Sequence, residues 1–163
     1  MTKHNKKKIP DLNIPQKKHS SLSNKLLIDS SSGSTGPILN FKFLYNCNIG
    51  DFQELHKLEK KDHQKYFKKL QTFIYNFDNE ANISTAITNY TSPKGSKINK
   101  KDNEYAKRVI DCFRKENPKE AGLVGDDLYH IHLERNGKGS FVLFGVCYEQ
   151  TFYVLAMNPK HEF

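Results

Sequence analysis

Cysteine is scarce in this chain, and the three present, Cys47, Cys112 and Cys147, stand far apart. No CxxC or CxxH pair occurs, which removes a zinc finger or a thioredoxin-like redox centre from consideration. An odd count of thiols fits a reducing compartment. The first residues, MTKHNKKKIPDLNIPQKKHSS, are basic and lack the apolar stretch of a secretory signal. No apolar run approaches the length of a transmembrane helix. The expectation is a cytoplasmic protein with no membrane partner.

Acid is also in short supply: 18 Asp and Glu face 26 Lys and Arg, giving a net charge of +8 and an isoelectric point near 9.3. Such an excess favours an anionic partner, nucleic acid foremost. Apolar residues make up only 36% of the chain, and most of them follow residue 37. Residues 1–37, with lysine clusters, Pro10, Pro15 and the run DSSSGSTG, have the composition of a disordered basic arm. Residues 38–163 then form one domain.

Within that domain ILNFKFLYN (38–46) has the composition of a strand. Asp51 and Glu54 carry the spacing of a capping box. From Phe52 to Phe77, apolar residues recur every three or four positions: Phe52, Leu55, Leu58, Tyr66, Phe67, Leu70, Phe73, Ile74 and Phe77. That spacing predicts one long amphipathic helix, or a hairpin broken near Lys61. Its polar face carries Lys57, Lys61 and Lys65, a candidate rail for phosphates. Residues 79–102 have weak periodicity and predict a loop. A second helix is expected from Asp102 to about Asn117, stopped by Pro118. Three strands follow, DLYHIHLE, GSFVLFGVCYE and TFYVLAMN, with Asn136-Gly137 suited to the first turn. The order strand, helices, three-stranded antiparallel meander belongs to the α+β class, with helices over one face of the sheet.

The stretch LYHIHLE places two histidines on one side of a strand. Leu128, His130, His132 and Glu134 share a parity; Tyr129, Ile131, Leu133 and Arg135 share the other. The bland explanation for either histidine is a residue that hydrogen-bonds locally. The chemical one is proton transfer, since an imidazole titrates close to working pH. Zinc sites use H-x-H on a strand, and His161 or Glu134 could supply a third ligand. No Cys or Asp cluster supports that reading, so the expectation is that no metal and no cofactor is used.

The C-terminal third, LYHIHLERNGKGSFVLFGVCYEQTFYVLAMNPKHEF, resembles the sheet of the RelE/ParE-type toxins of toxin–antitoxin systems. HIHL, a hairpin and a P…H ending are most similar to the YafO-like branch. The resemblance implies a RelE-like α+β domain with mRNA-cleaving activity at the ribosome, held in check by a cognate antitoxin. Cleavage by 2′-OH attack would place His161 as acid and His130 or His132 as base, with Lys160 and Arg135 stabilising charge. Tyr129, Lys138 and Phe163 would join Lys57, Lys61 and Lys65 in holding RNA. The chain departs from the family in one respect: SFVLFGVCYE, the middle strand, has no Arg or Lys. Positive charge would then come from elsewhere, Arg108 included. Two alternatives stay open: a barnase- or colicin-like nuclease acting on tRNA or free RNA, and a non-catalytic binding module or gyrase-targeting toxin of the same fold.

Overall fold

Two runs of buried side chains organise the molecule, one on each face of a five-stranded sheet. The computed structural model describes residues 36–44, 49–92 and 97–161. The expectation for residues 1–37 therefore lies outside the described residues except at its last two positions. Strands β1 (Ile38–Asn40), β2 (Lys97–Asn99), β3 (Asp127–Glu134), β4 (Lys138–Tyr148) and β5 (Thr151–Asn158) stand in the order β1-β5-β4-β3-β2. β1 pairs parallel to β5, and the other pairs are antiparallel. The class is α+β with a mixed open sheet, one strand richer than the sequence suggests.

Three α-helices lie among the described residues: α1 (Lys60–Asp78), α2 (Ile83–Tyr90) and α3 (Glu104–Glu116). Asp51 caps a 3-10 turn (Phe52–Lys57) by accepting from the Gln53 amide at 2.8 Å. Leu58 and Glu59 are extended, so the periodic stretch breaks there and α1 starts afresh. α1 and α2 bury Leu70, Phe73, Phe77, Ala86, Ile87 and Tyr90 against Ile131, Leu133, Phe141 and Leu143. Burying a side chain such as Phe73 is worth about 1.5–3 kcal/mol. Phe67, expected to face inward, is 54% exposed. α3 buries Ala106, Val109, Ile110 and Phe113 against Leu128, Val142, Phe144 and Val146 on the opposite face. Helices thus cover both faces, not one, because β3 and β4 are apolar at both parities.

Three local departures have clear causes. β1 stops at Asn40, whose Oδ1 accepts from the Lys42 amide at 2.8 Å and turns the chain. Residues 79–102 are not a plain loop: α2 forms behind the Asn82 cap, whose Oδ1 accepts from Thr85 N at 2.9 Å. β2 then adds to the sheet edge beside β3. The Asn136-Gly137 turn has φ +61° and +64°, as its sequence predicts.

Two register shifts matter most. Phe144 pairs with Ala156 while Gly145 pairs with Val154, so Leu155 is an extra residue and the parity of β5 inverts beyond it. Asn158 consequently stands on the α3 side, opposite Val142. Between β3 and β4 the register shifts again between His132 and Glu134. Glu134 leaves the parity of the histidines and bonds Lys69 of α1, Nζ to Oε1 2.5 Å.

Candidate functional site

β3 supplies two of the site's three imidazoles. His130 lies opposite Phe144 and His132 opposite Val142, with relative exposures of 8% and 3%. The Phe144 ring stacks on His130 at 5.4 Å and 23°, forming an apolar wall. Both histidines share the face that α3 covers further along, at Leu128 and Val146.

The tail after β5 supplies the third. Asn158, Val142 and His132 form one row across three strands. Asn158 then organises the turn that follows: its Oδ1 accepts from Lys160 N at 3.2 Å and its carbonyl from His161 N at 3.4 Å. Ser140 Oγ donates to the Pro159 carbonyl at 3.1 Å, tying the tail to β4. His161 takes φ +57°, a left-handed conformation uncommon outside glycine and asparagine. The turn brings its ring back over β3, with Nε2 3.0 Å from His130 Nε2. Ring centroids of the three histidines lie 4.7–5.1 Å apart.

Proton positions follow in part from the partners. His132 Nδ1 sits 2.9 Å from the Gly139 carbonyl oxygen, which can only accept. Nδ1–H is therefore the donor, and in the neutral ring the lone pair is on Nε2. Gly139, at φ +85°, lies in the stretch of β4 displaced by the second register shift. Burial pushes His130 down to about 4, and the neighbouring His132 and His161 act in the same direction. Burial and His132 also lower His161. His130 is thus a neutral imidazole at pH 7.

A pocket of about 300 Å³, sharing with the cluster only the tail segment that leads into His161, is lined by Lys57, Arg108 and Lys160, together with Glu54, Tyr105, Asn158 and Pro159. Three cations face one carboxylate, and that carboxylate is already bonded to Lys57 Nζ at 2.6 Å. Tyr105 donates to the Met157 carbonyl at 3.3 Å. Its phenol is raised above the ordinary value by burial first, and by Glu54.

Among the expected site residues, His130, His132 and His161 converge, and Lys160 lies at their edge. Arg135 does not join them: it pairs with Glu80 and lies over the Tyr90 ring on the α2 side. Tyr129 packs on the α1/α2 face beneath Lys97, whose Nζ is 4.9 Å from the ring. Lys138 is exposed at the start of β4, opposite Glu134. Lys61 and Lys65 line a separate cleft of about 600 Å³ along α1, with Lys68, Lys69 and Glu134, while Lys57 belongs to the pocket by Lys160. Glu134 cannot be the third ligand to an H-x-H pair from its position against α1. Phe163 lies outside the described residues. Arg108, named from the sequence as a source of charge outside the meander, lines the pocket with Lys160; Asn158 is the member that the sequence did not suggest, because the bulge at Leu155 brings it over. Cys112 and Cys147 are half-buried, and burial pushes the Cys147 thiol up to about 11, which makes it a poor nucleophile.

No helix of the described residues is long and apolar enough to cross a membrane. No family model matches this chain, and neither does any curated protein or solved structure.

Proposed function

We propose that this protein is a toxin-like endoribonuclease that cleaves mRNA through its histidine cluster. The observation that carries the reading is the 3.0 Å contact of His130 and His161, with the residue before His161, Lys160, lining a pocket that also holds Lys57 and Arg108. Cleavage by 2′-OH attack needs a base, an acid and positive charge near the phosphate. His130, the buried ring, takes the proton of the 2′-OH as its oxygen bonds to phosphorus. His161, the solvent-facing ring, gives a proton to O5′ as the P–O5′ bond breaks. The products are a 2′,3′-cyclic phosphate and a 5′-hydroxyl. Arg108 and Lys160 stabilise the charge that develops on the phosphoryl oxygens, which answers the lack of a cation on β4 between Ser140 and Tyr148. His132, fixed by Gly139, holds the buried end of the cluster in place.

The likeness of residues 128–163 to the RelE/ParE-type sheet supports mRNA on the ribosome as substrate and a cognate antitoxin as partner. Inducible expression in a bacterial host, followed by primer extension on abundant transcripts, tests the reading. His161→Asn is the companion variant, because asparagine tolerates φ near +57°. Growth arrest with discrete new mRNA ends, lost in the variant while its thermal melt is kept, is the expected result. Arrest without cleavage would turn the reading toward gyrase or another target. The absence of any arginine or lysine on β4 between Ser140 and Tyr148 favours a second reading, a binding module of the same fold, for which neither arrest nor RNA ends are expected.

A further inference from the structure

Three imidazoles that converge on one point are also a donor set. We propose that His130, His132 and His161 together bind a single divalent transition-metal ion of the zinc class. The site itself does not depend on the nuclease reading. One nitrogen from each ring lies within 4.8 Å of the others. Zinc–imidazole bonds of about 2.0–2.1 Å put tetrahedral ligand nitrogens roughly 3.3 Å apart. The His130–His161 separation of 3.0 Å is already near that value. A movement of about 1–1.5 Å by the third nitrogen completes the set, which rotation of side chains on one exposed and two buried residues can supply.

The surroundings favour a metal in four ways. His132 Nδ1–H is held by the Gly139 carbonyl, the arrangement that fixes ring orientation and frees Nε2 as ligand in metal-binding imidazoles. His130 and His132 stand on a central strand and are buried, so two ligands are rigid. His161 is exposed on a turn, giving the ion a way in and the set some adjustment. Among the described residues no carboxylate joins the cluster, which disfavours calcium and magnesium and leaves imidazole-seeking ions such as zinc, cobalt, nickel and copper.

One consequence rests on the nuclease reading: metal and RNA chemistry compete for the same nitrogens, so zinc would inhibit cleavage. The test uses the full chain, stripped with chelator and dialysed, then titrated with Co²⁺. Expected is one equivalent bound, with visible d–d absorption of a low-coordinate nitrogen site that Zn²⁺ abolishes. His132→Ala and His161→Asn should each weaken binding about 100-fold or more. His161→Asn alters only the exposed tail, so its loss of binding cannot be laid to unfolding once the melting curve is unchanged. Absence of the absorption band, or binding undiminished in both variants, would overturn the proposal. RNA cleavage in chelator by a protein that takes up no cobalt would overturn the metal site and leave the nuclease. Cobalt binding lost in both variants, with no cleavage in either metal state, would uphold the site and remove the nuclease.

Discussion

The two faces of β3 differ by a single residue step and by everything chemical. Ile131 and Leu133 point into the α1/α2 core, with exposures of 0% and 5%, while His130 and His132 are buried as deeply on the other side. Burying an apolar side chain stabilises the fold directly. A buried polar ring costs free energy unless it is hydrogen-bonded, and these two are held by Gly139, by a third histidine and by the stacked Phe144. α3 explains part of the difference. It packs with Leu128, Val142, Phe144 and Val146 on the histidine face; the tail from Asn158 to His161 is tied to β4 and brings the third ring to His130. One face is apolar along the strand, and the other combines an apolar core with three converging imidazoles.

Substitutions along one strand should separate those roles. Ile131→Ala empties a fully buried position and should cost about 2–5 kcal/mol. Thermal denaturation would show it as a melting point lower by on the order of 10 °C. A loss of only a degree or two would mean that the α1/α2 face does not hold the fold. His132→Ala, one position along, should lower the melting point less than Ile131→Ala yet remove metal binding and RNA cleavage together. If cleavage survives while binding is lost, His132 serves the metal alone.

The two cationic surfaces allow a finer comparison. Arg108→Ala, in the pocket lined by Lys160, should slow cleavage more than about tenfold, which is about 1.4 kcal/mol of transition-state stabilisation, while leaving Co²⁺ affinity as it is. Lys65→Ala, in the α1 cleft, should change the rate less than about threefold and stability by less than about 0.5 kcal/mol. Single-turnover cleavage of a short RNA measures both. Reversal of that order would move the RNA path to α1.

Much of this architecture is legible in the sequence because it is local. The meander, the Asn136-Gly137 turn, the Asp51 cap and the α3 helix each follow from a few neighbouring residues. α2 and β2 escape because ISTAITNY is short and KIN offers three residues whose pairing depends on β3. The site is half legible. H-x-H on a strand announces two rings on one side, but strict alternation assigns Glu134 to them and the register shift after His132 removes it. The bulge at Leu155 works in the opposite sense, bringing Asn158 to the histidines. Neither shift leaves a mark in residue type beyond Gly139 and Gly145. At Gly145 a Cβ would come within 2.2 Å of the Tyr153 carbonyl oxygen, so the bulge is tied to that glycine.

Both the proposed cleavage and the proposed metal site need the tail to lie over β3. Ring-to-ring nuclear Overhauser effects between His130 and His161 in the full, metal-free chain test that most directly. With centroids 4.8 Å apart, the rings should give cross-peaks, and these should vanish in His161→Asn. A His161 ring with no cross-peak to His130 and the narrow lines of a free side chain would contradict the account.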